Sequence, residues 1–228
     1  MDSRPPVVLI AARNEADRLP ATLAALSSAF PGARVVVADD GSTDGTAEAA
    51  RAAGAEVVRS DRSLGKGGAA TLAARTVLDV TSAADPPPVL LCDADLGASA
   101  AELRGLLDAV ARGDADLAVA VFARKVGGGF GLAVGAARRA IRHRTGLELQ
   151  APISGQRAMR GEVLGVVVPF APRFGMEVGM TIDAHRAGFR VVEVPLDLEH
   201  RATGRTWRGF VHRGRQLRDL LVAYLSRR

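Results

Sequence analysis

Two aspartates, Asp93 and Asp95, close the apolar run "VLLCDADLG" at residues 89 to 97 with one alanine between them. If the chain stays extended there, side chains at i and i+2 point to the same side, with α-carbons about 6 to 7 Å apart. Two carboxylates so placed repel each other unless a cation lies beside them. A hard divalent ion such as Mg²⁺ or Mn²⁺ meets that need, because it takes one or two carboxylates and completes its shell with phosphate oxygens and water.

Three other stretches carry polar groups of the same kind. "ARNE" places Arg13, Asn14 and Glu15 after an apolar run, and "DDGSTDGT" begins with Asp39 and Asp40 and continues with Gly41 for a tight turn. Ser42, Thr43 and Asp44 are suited to capping a following helix. "SLGKGGAA" offers backbone amides at a helix start, where an anion such as phosphate is favoured, and Lys66 adds a full charge. Only two of the thirty basic residues are lysines, which singles out this one. The stretch is not a Walker A loop, because the glycine spacing and the Ser or Thr after Lys are missing.

The elements that must position these groups alternate. "PVVLIAA", "ARVVVADD", "AEVVRS", "VLLCDADL" and "DADLAVAVFA" read as strands. Helical patterns lie between them, among them "ADRLPATLAALSSAF", "TDGTAEAARAAG", "GGAATLAARTVLDV" and a stretch near Ser99 to Arg112. Repeated strand–helix units predict an α/β domain with a mostly parallel sheet covered on both faces. In such sheets ligands bind beyond the carboxyl ends of the strands, which is where the polar clusters fall.

From residue 123 onward the rhythm changes to the loop "RKVGGGFG", a basic helix near Leu132 to His143, a mixed turn and strand region "APISGQRAMRGEVL", and a helix and long strand ending at His200. Residues 1–228 are expected to form one domain, with 1–122 carrying the polar strand ends and 123–228 shaping a second binding surface. A final helix from about Thr206 places Trp207, Phe210, Leu217, Leu221 and Leu225 at helical spacing, with an arginine-rich opposite face.

The 228 residues suffice for one sizeable core, and 48% hydrophobic with 24% charged residues is a globular composition. A single cysteine, Cys92, forms no internal disulfide and sits in an apolar run, so a buried small hydrophobe in a reducing, cytoplasmic setting is expected. No signal-peptide pattern and no span of roughly 20 apolar residues occurs. The net charge of +5 is concentrated: from His200 onward eight arginines face one acid, Asp219. That asymmetry suits a phosphate-bearing partner or the inner face of a membrane, touched peripherally through the last helix. Aromatics are 4% of the chain and no zinc-finger or RNA-binding motif occurs, which argues against nucleic acid. A homodimer is compatible with the composition.

"IAARNE", "VADDGSTDGT", "GKGGA" and "DADL", in this order, resemble the nucleotide-sugar-dependent glycosyltransferases of family 2. The second-half stretches "GGG", "PISGQRAM", "PFAPRFGMEVGM" and "EHRATGR" are similar to glucosyl-3-phosphoglycerate synthases and related bacterial enzymes. The resemblance implies a GT-A fold and a hexosyl transfer from a nucleoside diphosphate sugar, UDP-glucose first and GDP-mannose second. The acceptor is left open between a phosphorylated small molecule and a polyprenyl phosphate, the latter suited by peripheral docking of the last helix on a membrane.

By the same resemblance, donor contacts fall on Ala11, Ala12, Arg13, Glu15, Asp40, Lys66, Gly67, Asp93 and Ala94. The metal set is Asp93, Asp95 and His200, and the acceptor side comprises Gly128, Gly129, Ser154, Gly155 and Arg201. Catalytic roles go to Lys66, Asp95 and Glu177, the last as an acceptor-activating base, a holder of a sugar hydroxyl or a helix cap. Ala11 replaces the proline common in the first motif. Phe130, Gly131 and Leu132 stand where the synthases have an arginine and a threonine that hold acceptor phosphate. Two other readings of the residues are a sugar nucleotidyltransferase, which would release pyrophosphate, and a non-catalytic module for phosphate or membrane binding.

Overall fold

The computed structural model describes residues 4–78, 86–122, 131–172 and 175–198. Seven strands form one sheet: β1 (Val7–Ala12), β2 (Arg34–Asp39), β3 (Glu56–Arg59), β4 (Val89–Asp93), β5 (Leu117–Phe122), β6 (Arg157–Met159) and β7 (Val191–Leu196). Their order is β3-β2-β1-β4-β6-β5-β7. Every pairing is parallel except those of β6, which runs antiparallel to both β4 and β5.

Among the described residues, seven α-helices connect or cover the strands: α1 (Leu19–Ala29), α2 (Thr46–Ala52), α3 (Lys66–Leu78), α4 (Arg104–Ala111), α5 (Gly131–Thr145), α6 (Gly161–Val167) and α7 (Met176–Arg186). The helix expected over residues 99 to 112 is split into a 3-10 segment, Gly97–Leu103, and α4. A 3-10 segment is tighter than an α-helix and serves here as the link out of the turn after β4.

Alternation along the buried strands sorts their side chains onto two faces. Val8, Ile10, Leu90, Cys92, Ala118 and Ala158 pack against Leu19, Leu23 and Leu26 of α1 and Leu106 of α4. Val7, Leu9, Val36, Leu91, Val119 and Met159 pack against α3, α6 and α7. Four alanines of α3 (Ala69, Ala70, Ala73 and Ala74) are buried in this second cluster, so the helix backbone lies close to the sheet. A smaller cluster joins α5 to α7 through Ala137, Ile141, Val178 and Ile182. With both faces covered, the central strands read as continuous apolar runs rather than alternating ones.

The pairing registers align the polar strand ends. Ala12 lies opposite Asp39 and Ala11 opposite Asp93, so β2, β1 and β4 all deliver their last residues to one edge of the sheet. Because β6 is antiparallel, with Leu91 opposite Arg157, it is the beginning of β6 that reaches this edge. No helix among the described residues is long and apolar enough to cross a membrane.

Candidate active site

The first two polar clusters are stapled to each other. Asn14 adopts a positive φ of 56°. Its backbone N–H donates to Ser42 Oγ at 2.9 Å, and its side-chain oxygen accepts from the Thr43 N–H at 2.9 Å. Glu15 N–H donates to Thr46 Oγ1, and the Asp44 carboxylate accepts from the N–H groups of Ala16 and Thr46. The Glu15 carboxylate itself is paired with Arg18 at 2.7 Å. The expected capping role is not met in that form: the N-cap of α2 is Gly45, with no side-chain cap bond, and Asp44, one residue earlier, ties the first helical N–H to the preceding loop.

Asp40 has a different task from a simple turn residue. Its carboxylate accepts from Ser63 Oγ at 2.8 Å, Leu64 N–H at 2.5 Å and Gly65 N–H at 3.0 Å. Ser63 in turn accepts from Arg13 Nη1 at 3.0 Å. The turn "SLGK" binds an anion, as its composition suggested, but that anion is the side chain of Asp40. Two amides expected to face a phosphate are thus occupied, and the turn they tie down leads directly into Lys66, the first residue of α3. Gly41 makes this approach feasible, since it has a φ of +69° and a Cβ there would stand 3.3 Å from the Arg62 carbonyl carbon.

Lys66 is the centre of the site. Its Nζ lies 2.7 Å from Asp93 Oδ1 and 3.0 Å from Glu177 Oε1. Asp93 is on the sheet face covered by α3, because it pairs with Ala11, and α7 brings Glu177 from the far side of the same face. Glu177 sits in the first turn of α7, where a carboxylate is favoured by the helix dipole. Burial acts to lower the Lys66 ammonium, but the two carboxylates outweigh it and hold the group above its ordinary value. The side chain remains 31% exposed. Neighbouring Cys92 is buried, and burial beside Asp93 pushes its thiol well up, which leaves it inert.

The beginning of β6 completes the clamp. Gln156 Nε2 donates to Asp93 Oδ2 at 2.7 Å, leaving Asp93 held on both oxygens. Gly155 lies directly against the ion pair: a Cβ there would stand 2.3 Å from Lys66 Nζ and 2.8 Å from Asp93 Oδ1. Gly155→Ala is expected to push the ammonium away from a pinned carboxylate and to destabilise the protein by about 1–3 kcal/mol. That corresponds to a Tm lower by roughly 2–10 °C in thermal unfolding. Gly165→Ala in α6, where a Cβ meets nothing within 4 Å, is the matched control and is expected to leave Tm unchanged or raise it.

β4 ends at Asp93, so Ala94 and Asp95 leave the sheet in a turn instead of continuing extended as the D-x-D spacing suggested. Thr22 of α1 pins that turn: its hydroxyl donates to Ala94 O and accepts from Gly97 N–H, both at 2.9 Å. Asp95 is half-buried and makes no hydrogen bond or ion pair among the described residues. An unpartnered carboxylate beside a clamped one fits a divalent cation, with Asp95 as the group free to ligate. No third His, Cys, Asp or Glu joins them among the described residues. His200, the expected third ligand, lies outside those residues, as do Gly128, Gly129, Arg201 and the stretch from Thr206 expected to form a last helix.

Ser154, Gly155, Lys66, Asp93 and Glu177 are thus brought together, with Arg13 and Asp40 one step behind through Ser63. Glu15 points its charge to Arg18. Thr22, Gln156, Arg157 and Thr181 were not singled out by sequence reasoning. For Gln156 and Arg157 a signal existed, because two consecutive polar residues lead into an otherwise apolar strand in "GQRAM".

Comparison with known proteins bears on the family and the fold. The family described as "Glycosyl transferase family 2" matches residues 7–166. An undecaprenyl-phosphate mannosyltransferase of Micrococcus luteus is 31% identical over 214 residues, covering 87% of this chain and 85% of the relative. Glucosyl-3-phosphoglycerate synthase of Mycobacterium tuberculosis, solved with Mn²⁺, UDP-glucose and phosphoglyceric acid, superposes with a TM-score of 0.78 at 26% identity. That comparison covers 99% of this chain and 80% of the synthase. The same synthase with Mg²⁺ and UDP gives a TM-score of 0.79 at 26% identity, covering 99% of this chain and 79% of the synthase.

Proposed function

The chain belongs to glycosyl transferase family 2, and on that premise we propose that it moves a hexose from a nucleoside diphosphate sugar to a phosphate-bearing acceptor. UDP-glucose is the first candidate donor and GDP-mannose the second. The observation that carries the reading is the placement of Lys66, clamped between Asp93 and Glu177 at the strand ends, with Asp95 two residues past Asp93 and without a hydrogen bond or ion pair among the described residues. The acceptor class follows from the relatives, one solved with phosphoglyceric acid and the other named for undecaprenyl phosphate.

Cleavage of the sugar–phosphate bond leaves negative charge on the departing diphosphate, and Lys66 is a fixed cation where that charge develops. Its two carboxylate partners keep it protonated and stop it from swinging into solvent. Asp95, with Asp93 behind it, would hold a divalent cation, which supplies a Lewis acid for the diphosphate oxygens. Arg13 and the loop organised by Asp40 would border the nucleoside. Glu177 would steady Lys66 on the side where an acceptor or sugar hydroxyl approaches, while Ser154 and Gly155 would line the acceptor side.

Thermal unfolding with UDP, GDP, UDP-glucose, GDP-mannose and CTP, each with and without Mn²⁺, tests this reading. A diphosphate nucleoside or its sugar at about 100 times its Kd is expected to add roughly 2.7 kcal/mol of stability, and only when the metal is present. Stronger stabilisation by CTP, with pyrophosphate released in a coupled assay, would identify a nucleotidyltransferase and overturn the proposal.

A further inference from the structure

Arg157 opens β6 and is fully buried, yet its guanidinium has no ion pair among the described residues. Its donors go to neutral oxygens: Nε to Ser154 O at 2.9 Å, Nη2 to Pro152 O at 3.1 Å and Nη1 to Thr181 Oγ1 at 2.9 Å. Removing a guanidinium from water costs several kcal/mol, which well-packed apolar residues at such a position do not incur. Burial lowers its pKa to about 10, opposed by the charges of Glu177 and Glu193. The group remains charged at neutral pH and stands behind the Lys66 cluster.

What these bonds connect is specific. Pro152 and Ser154 belong to the turn that delivers Gly155 and Gln156 onto Asp93. Glu193 of β7 holds the start of the same turn by accepting from the N–H groups of Gln150 and Ala151 at 2.8 and 2.6 Å. Thr181 belongs to α7, where its hydroxyl donates to the Glu177 carbonyl at 2.9 Å, one turn back. Arg157 therefore spans from the turn that clamps Asp93 to the helix that presents Glu177. The two carboxylates gripping Lys66 are carried on separate elements, and one buried side chain joins the supports of both.

We infer that Arg157, acting through Thr181, is a positioning residue that sets the spacing between Asp93 and Glu177 and so fixes the Lys66 ammonium between them. It touches neither substrate nor metal. Its kinetic consequence rests on the transferase reading above, but its geometric consequence does not.

Lysine reactivity tests the geometry without any knowledge of the donor. The chain has two lysines, Lys66 and Lys125, so acylation by an amine-selective reagent followed by peptide mass analysis reads Lys66 directly, with Lys125 as the internal reference. Thr181→Val removes the hydroxyl that links Arg157 to α7 and keeps the side chain's shape; Arg157→Lys keeps the charge and loses the fork. In both variants, once circular dichroism and a cooperative unfolding transition show a folded protein, Lys66 is expected to acylate at least about tenfold faster relative to Lys125.

With the donor chosen by the stability screen, Thr181→Val is further expected to lower kcat by about 10- to 100-fold while the donor Kd in Mn²⁺ stays within about threefold. Arg157→Lys is expected to retain more activity than Arg157→Met. Unchanged Lys66 reactivity in folded Thr181→Val would overturn the positioning role, as would a loss confined to donor Kd. A wild-type protein that turns over no sugar nucleotide would sink the transferase reading alone, with the labelling result still deciding the role of Arg157.

Discussion

Lys66→Met is expected to reduce sugar-nucleotide turnover by about 10²- to 10³-fold, the loss typical of deleting one preorganised electrostatic group. The methionine matches the lysine stem in bulk but leaves Asp93 and Glu177 facing each other without their shared cation. Glu177 is the more affected, because it is 7% exposed and loses its ion-pair partner, whereas Asp93 keeps the Gln156 hydrogen bond. An accompanying stability loss of about 1–3 kcal/mol is expected from denaturant unfolding. The pH dependence follows from the direction of the Lys66 shift. A group raised above its ordinary value of 10.5 contributes fully below that value and loses its contribution only as pH rises through the higher folded value. The stability gap between wild type and variant is therefore expected to stay flat from about pH 6 to 9 on this account. Turnover within threefold of wild type would remove Lys66 from the catalytic machinery.

Asp95→Ala is expected to abolish the metal-dependent part of donor binding. By calorimetry, Kd for the nucleoside diphosphate in Mn²⁺ should rise by at least about 100-fold, toward the metal-free value, equivalent to roughly 2.7 kcal/mol. The fold should hardly respond, since Asp95 makes no hydrogen bond or ion pair among the described residues. A change within about 0.5 kcal/mol is typical of such positions. The opposite pattern, unaltered Mn²⁺-dependent affinity with a destabilised protein, would make Asp95 a structural residue of the turn that Thr22 pins. Asp93→Ala would not separate these cases, because Asp93 is tied to both Lys66 and Gln156.

Much of this was legible in the residues. Alternating apolar runs and helical patterns specified a two-faced, mostly parallel sheet, because strands buried on both sides must be apolar at every position. The polar groups that end those runs specified where to look, since a parallel sheet collects its strand ends along one edge. Asp93, Asp95 and Lys66 stood out on charge and spacing alone.

Other features depended on which segments meet in space. The extended geometry inferred for Asp93 and Asp95 gave way to a turn, because Thr22, more than seventy residues away, holds Ala94 and Gly97. The amides of "SLGK" looked open to phosphate, but the Asp40 carboxylate from another strand end occupies two of them. The short β6 carries no periodic signal of its direction. Its antiparallel run is what brings Gly155 and Gln156, and behind them Arg157, to the edge where Asp93 ends.

The sequence by itself determined the class of fold and the ionic groups available for chemistry, since both follow from local pattern and side-chain type. Only the tertiary structure decided that one lysine is gripped by carboxylates from β4 and α7, and that a buried arginine joins their supports. Ion pairs and hydrogen bonds act over about 3 Å, and no local pattern encodes which distant segments folding brings that close.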